Sequence, residues 1–492
     1  MKKNQLIIGF FLIVLFLIRT CLAQERAIKM YVPDTLVKVA PDRVEKIKKR
    51  FDADVLALEG KPKEQKEYIT SRYKNRLEYF NSSIEDGEFI IGGDIEKYLT
   101  KLLQHVIAAN PSINPKIQLF VSRSTVPNAY STGDDNIIVN IGLLNKVKND
   151  AEIVFVLCHE LAHQVLEHNK VGLYAKAEKY TNKDFVKSLN RTLKEQYNVK
   201  QKLEDLIMPS LISDMRFNRQ EELAADSVGF IFFSKTKFDK HAALSTIELL
   251  DSIDLFYDRE PLSLLKVLNC PDYPYRAKWE PEEHHSSLMV IDDEKDVLED
   301  SLKTHPDCKV RKEAILRQFA HNQSAIGSTF MTDSITFREL SMGAESENIN
   351  SMFLRQNMGR MMFYAYHSMI EYPENLFARV YLAFGFSRLS QLQKTHQVGT
   401  EFPLPINNYE VNYNKMLNFI NNLNREESTN LGYCLLRPVQ DSLKKYEDYL
   451  AALTYSAFIN SKKDEYASLK DEYLKKFPKG QFVNLFAELT IN

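Results

Sequence analysis

The sequence predicts a mainly α protein of the α+β class: a small β-sheet beside a helix carrying an HExxH motif, followed by a TPR-like helical-hairpin region. Three observations carry this. Glycine and proline number only 16 and 17 in 492 residues, too few for a turn-rich all-β chain. Apolar residues alternate at Ile117, Leu119 and Val121, then recur at three- and four-residue steps at Ile153, Val154, Leu157, Leu161 and Val165. Beyond about residue 345 the pattern is helical almost throughout. At 44% hydrophobic and 26% charged residues the chain can bury a real core, and at ~150 residues per domain its length suggests about three domains. The 64 Lys and Arg against 66 Asp and Glu leave a net charge of −2, so no basic excess points to nucleic acid.

The elements follow in chain order. Lys2 and Lys3, the apolar run Leu6 to Ile18 and the small-residue site Cys21-Leu22-Ala23 have the three parts of a signal peptide, with cleavage expected after Ala23. The run is shorter than the ~20 residues a bilayer span requires, and Arg19 and Thr20 make Cys21 a poor lipidation site. The mature chain is expected to carry no transmembrane span, and to be periplasmic, envelope-associated or extracellular. Residues 24–85 read as an exposed helical leader, 86–340 as the chemistry-bearing domain and 345–492 as the helical region. Lys116–Ser122 and Asn136–Ile141 are expected strands, the second after the turn signal Gly133-Asp134-Asp135. A buried helix is expected over Asp150–Asn169, with Asn149 and Glu152 as its capping pair. Residues 170–220 favour helix, 221–257 hold one or two amphipathic helices, and 258–300, with four prolines and an acidic run, is mostly loop. Breaks at Tyr372-Pro373 and Phe477-Pro478 lie about three ~34-residue periods apart, the tetratricopeptide spacing. Tyr364, Tyr366, Phe377, Tyr381 and Phe384 at helical spacing are expected in the core. Among the mature cysteines, Cys158 reads as a buried core residue, and a Cys270–Cys308 pair is conceivable.

The chemistry concentrates at His159-Glu160-Leu161-Ala162-His163. Positions i and i+4 of a helix lie about 40° apart, so both imidazoles leave one face and can grip one cation. Glu160, one step round, is placed as the general base of metal-assisted hydrolysis. Catalytic zinc usually takes three protein ligands, and Glu222-Leu223-Ala224-Ala225-Asp226 supplies a candidate: Glu222 as third ligand, with Asp226 one turn on to orient a ligating imidazole. The plain alternative is a metal-free structural pair. Composition alone yields roughly 0.02 HExxH matches in such a chain, which makes chance a poor account. His168, off the ligand face, reads as a structural neighbour, and His284 and His285 as solvated. Arg219 and Arg311 either orient Asp226 and the helix or form ordinary surface pairs.

From about Gly87 to Lys312 the sequence resembles the HtpX and CAAX-prenyl-endopeptidase type of zinc metallopeptidases, which are gluzincins. Within it the likeness is to the soluble periplasmic BepA-like and mitochondrial OMA-like members, and the absence of hydrophobic spans around the zinc helix favours the soluble exported branch with C-terminal helical repeats. HELAH and ELAAD match the family motifs, implying one zinc ion per chain on His159, His163 and Glu222, with Glu160 as base. Pro127-Asn128-Ala129-Tyr130 matches a family Asn-Ala-Phe/Tyr segment, so Asn128, Ala129 and Tyr130 are a candidate substrate strand pairing with extended peptides. Thr304-His305-Pro306 with Arg311 matches a His-Pro motif. His305 then either donates to an oxyanion or gates the open metal position, or it merely packs a loop. Cys270-Pro271 with Arg276 is a decoy at the same spacing. The resemblance implies an exported endopeptidase acting on unfolded, misfolded or envelope proteins, with a protein partner at the C-terminal helices. The competing reading is a helical-repeat chaperone or assembly factor whose metalloprotease site is gated or nearly silent.

Overall fold

The computed structural model describes residues 30–31, 41–194, 218–279, 308–319, 327–406, 410–437 and 439–489. The expected signal peptide, most of the acidic loop, His284, His285 and His305 lie outside the described residues.

Helices α1 (Pro41–Leu56) and α2 (Lys63–Glu85) come first. They are helical as the sequence suggests, but one face is not exposed. Ile47 and Phe80 join Phe89, Phe120 and Ile138 in a small core against the sheet, and Arg76 reaches Asp134 at 3.0 Å. The leader is a cover for one sheet face.

The sheet has four strands, β1 (Phe89–Ile90), β2 (Gln118–Ser122), β3 (Ala129–Ser131) and β4 (Asn136–Asn140), in the order β1-β2-β4-β3. The two strands legible in the sequence form its centre. They run parallel, from Gln118 opposite Asn136 to Ser122 opposite Asn140, and β3 and β1 are antiparallel edges. On the face away from α1 and α2, Leu119, Val121, Ile137 and Val139 meet the main core. With both faces covered, every residue of β4 is buried. Helix α3 (Asp94–Ala109) contributes Leu99, Leu102 and Val106 to the same core. After β4 the chain turns so tightly that a Cβ on Gly142 would lie 2.1 Å from the Thr125 carbonyl oxygen, so only glycine fits.

Helix α4 (Asp150–Val165) carries the HExxH motif. Asn149 accepts from the Glu152 N–H as expected, while the Glu152 carboxylate accepts from the Lys148 N–H. The helix ends four residues earlier than expected, because Glu167 adopts a left-handed φ of 55° and starts a new helix, α5 (His168–Tyr180). There follow α6 (Lys183–Leu193), α7 (helical over 218–234), α8 (Ala242–Asp251) and α9 (Cys308–Phe319).

Helix α10 (Ser334–Leu354) runs straight across the expected 340/345 boundary. It joins the two parts: Arg123 pairs with Glu347, and the Ser351 hydroxyl donates to the Arg123 carbonyl at 3.0 Å. Behind it stand α11 (Met358–Glu371), α12 (Leu376–Thr395), α13 (Val411–Asn422), α14 (Arg425–Leu435), α15 (Glu447–Ile459), α16 (Lys463–Lys476) and α17 (Val483–Glu488). The breaks at Tyr372-Pro373 and Phe477-Pro478 fall at helix ends, and all five expected aromatics are buried. The cysteine pairing needs correction. Cys270 is bonded to Cys434 across 164 residues, with Cα atoms 6.1 Å apart, and Cys308 takes no part. Residues 264–279 pack on the helical region, where Trp279 donates to Glu427 and Arg276 lies over Tyr273, and this brings Cys270 beside α14. Arg276 is thereby also excluded from the site. Cys158 is fully buried, as expected. Among the described residues no helix is long and apolar enough to cross a membrane.

Candidate metal centre

Helices α4 and α7 bring together the three side chains expected to ligate. A Cβ on Gly229 would lie 3.0 Å from the His159 Cα, so a glycine in α7 lets the two backbones approach at the point where the ligands must meet. His159 Nε2 and His163 Nε2 are 3.1 Å apart. Glu222 Oε2 lies 3.4 Å from His159 Nε2, and Glu222 Oε1 lies 3.3 Å from His163 Nε2. A tetrahedron with metal–ligand bonds of about 2.0–2.1 Å has edges of about 3.3–3.4 Å. The imidazole pair and the two Glu222 oxygens, each facing one imidazole, approach to about that separation, and among the described residues His159, His163 and Glu222 are the cluster of such groups able to hold a cation.

The surrounding groups set tautomer and field. Ligation through Nε2 leaves each imidazole proton on Nδ1. His159 Nδ1 lies 3.0 Å from Asp226 Oδ1, and Asp226 is fully buried. Arg311 Nε and Nη2 donate to its two oxygens at 2.7 and 2.8 Å. Burial opposes the Asp226 charge, but Arg311 and His159 outweigh it and hold the carboxyl below its usual range. For His163 the partner is His168, whose Nδ1 lies 2.9 Å from His163 Nδ1. Burial, aided by the neighbouring His163, pushes His168 down to about 4, so it is neutral and can accept the His163 proton. Burial also disfavours charge on His159, yet the Asp226 and Glu222 carboxylates prevail and raise it to about 10. The local field thus favours positive charge where the donors converge, and the residues fit a divalent cation.

Glu160 is buried beside the donors and its carboxyl is raised, chiefly by burial. Its Oε2 accepts the Ser131 N–H at 2.8 Å. Ser131 is pinned three ways: its hydroxyl donates to Gln164, and its carbonyl accepts from Asn169 Nδ2 at 2.9 Å. Edge strand β3 is thus sewn to the helix pair α4 and α5. The Asn140 N–H donates to the Asn128 carbonyl and the Thr132 N–H to the Asn136 carbonyl, so the backbone groups of Asn128 and Thr132 that pair face β4. By alternation, the N–H and C=O of Ala129 and Ser131 face the other way, towards α4. The Tyr130 ring points to the opposite sheet face, its hydroxyl 3.1 Å from that of Tyr79 on α2.

The structure brings His159, Glu160, His163, Glu222 and Asp226 together as the sequence expects, and it places Arg311 in a buried pair with Asp226 rather than in a surface pair. Sequence reasoning missed the contact of His168 with His163, and it missed Ser131, Gln164 and Asn169. The His168 signal was the i+5 spacing from His163, which reaches across the helix end only because Glu167 turns left-handed.

Comparison with known proteins agrees with this geometry. Residues 95–318 match the model of peptidase family M48. The chain is 27% identical over 157 residues to the mitochondrial metalloendopeptidase OMA1 of Schizosaccharomyces pombe, covering 32% of this chain and 44% of the relative. It is 26% identical over 143 residues to the protein of that name from Arabidopsis thaliana, covering 28% of this chain and 26% of the relative. It spans less than half the length of either. Helices α4 and α7, strands β2, β3 and β4 and the Asp226–Arg311 pair all fall within the matched segment, and it is this segment that is similar to peptidase family M48.

Proposed function

We propose that this chain is an exported zinc-dependent endopeptidase that hydrolyses exposed, unfolded segments of other proteins. The observation that carries the reading is the His159–His163–Glu222 cluster, whose donors converge closely enough to hold one ion, with a buried carboxylate, Glu160, beside it. His159, His163 and Glu222 would hold the ion. Zinc in such a site polarises a carbonyl and makes water acidic enough to act near neutral pH.

The chain's own residues supply the rest. Glu160 has one oxygen occupied by the Ser131 N–H and the other available to take a proton from water and pass it to the leaving amine. Its raised carboxyl moves its basicity towards that task. An extended peptide can pair with the outward N–H and C=O of Ala129, which selects main chain rather than side chains and so favours unfolded substrates. Of the proposed substrate strand, Asn128 and Tyr130 then act through position, since the carbonyl of Asn128 and the ring of Tyr130 are engaged elsewhere. Export is supported by the Cys270–Cys434 bond, because disulfides persist in oxidising compartments.

The test is Glu160→Gln on the full chain, with casein degradation and metal content measured on each protein. The reading expects a loss of ~10²–10⁴-fold in rate with zinc retained. Undiminished degradation would contradict it. A cellular phenotype that survives this substitution would favour a chaperone or assembly role.

A further inference from the structure

Helix α6, eleven residues long, follows the zinc helix and α5, and none of its side chains is buried. Helix α5 is anchored: Ala177 packs with Leu58, Ile69 and Tyr73 beneath α1 and α2. Helix α6 reaches it through Phe185, whose ring lies 5.6 Å from that of Tyr180. At 100° per residue, Phe185, Val186, Leu189 and Leu193 fall within an arc of about 100°, and Lys183, Lys187, Arg191 and Lys194 occupy the opposite side. Val186 and Leu193 are 37% and 55% exposed, and Val171 on α5 is 46% exposed. Residues 166–194 hold seven Lys and Arg against three Asp and Glu, in a chain whose net charge is −2. This arm is a local basic excess joined to an exposed aliphatic stripe.

We propose that α6 docks on an anionic lipid bilayer, its apolar face in the headgroup boundary and its cations among the phosphates. A helix that segregates aliphatic from basic residues, with low overall apolarity, has the composition of an interfacial segment. Lysine supplies six of the seven cations of the arm. Protein interfaces are depleted in lysine, whereas anionic headgroups attract each such charge. Nucleic acid would account for the cations and leave the aliphatic stripe unused. The docking does not depend on hydrolysis. It would hold the mouth of the metal centre near the membrane surface, because α5 begins five residues after His163.

The experiment is co-sedimentation of the purified full chain with phosphatidylcholine vesicles, with and without 30% phosphatidylglycerol. Wild type is expected to sediment at least about tenfold more strongly with the anionic vesicles. Leu189→Asp with Leu193→Asp should remove binding, and Lys183→Glu with Lys187→Glu and Arg191→Glu should reduce it by more than about tenfold. Equal binding to both vesicles, or binding unchanged in either variant, would overturn the proposal. So would a fall of several degrees in melting temperature for Leu193→Asp alone, which shows the face covered by the chain itself. An oligomer that dissociates in this variant would assign the face to a second copy. Retention on duplex DNA that is lost only in the charge variant would assign it to a polyanion.

Discussion

Arg311 shows how a side chain can orient the proposed ligands through an intermediary. Its guanidinium holds both oxygens of fully buried Asp226, and Asp226 in turn holds His159. Arg311→Met leaves an uncompensated buried carboxylate, a loss of about 3–5 kcal/mol in stability, and should weaken zinc affinity about 10–100-fold by freeing the His159 ring. Calorimetry and competition with a chelating dye measure the two separately. His168→Phe keeps an aromatic ring and removes the acceptor for His163, so it should lower zinc affinity by a similar factor while the fold survives; unchanged affinity would show that His168 only packs. The proposed ligand pair His159 and His163 was legible because helical spacing confines it to one face. Ser131, Asn169 and His168 were not, since their meeting depends on β3 lying along α4 and on the left-handed turn at Glu167, neither of which is a local signal.

Elements act by how closely they approach and what they bury. A methyl group at Gly229 forces α7 away from the His159 backbone by a few tenths of an ångström. Gly229→Ala should cost about 1–3 kcal/mol and loosen zinc with it, whereas an alanine at Gly399, which meets nothing within 4 Å, gives no such loss of zinc. In the helical region, Asp448 on α15 accepts from Tyr381 of α12 at 2.6 Å and from Gln481 at 2.8 Å. Burial nevertheless raises it to about 6. Between the ordinary carboxylate range and pH 6 the unfolded chain releases this proton while the folded chain keeps it, so this group makes stability fall as pH rises through that window and level off above it. The contribution is on the order of 3 kcal/mol. Asp448→Asn keeps the acceptor and removes the charge, so its melting temperature at pH 7.5 should rise and its pH dependence between 4 and 6 flatten; an unaltered slope would refute the assignment. The long periodic helices and the two central strands were readable from pattern. Strands β1 and β3, of two and three residues, are too short to show a period, and the aliphatic and aromatic face of α1 and α2 was diluted by their charges.

In the whole molecule, α10 and the Cys270–Cys434 bond fasten the part that holds the candidate metal centre to the helices behind it. Closing a loop of 164 residues removes chain entropy worth about 4–5 kcal/mol. Cys434→Ser should therefore lower the midpoint of denaturant unfolding, and reduction should do the same to wild type and nothing to the variant. The sequence left a Cys270–Cys308 pair conceivable and did not point to Cys434. What decides the pairing is the apolar strip around Trp279, which lays residues 264–279 on the helical region, and such a tertiary contact leaves no mark in local pattern.

The account turns on one cation held by side chains from α4 and α7, and elemental analysis of the purified full chain beside His159→Ala and Glu222→Ala tests it most directly. Wild type should carry close to one zinc per chain, and each variant should lose it while retaining the helical circular dichroism of wild type. Zinc retained stoichiometrically by both variants, or wild type that binds none after incubation with the metal, would contradict the assignment.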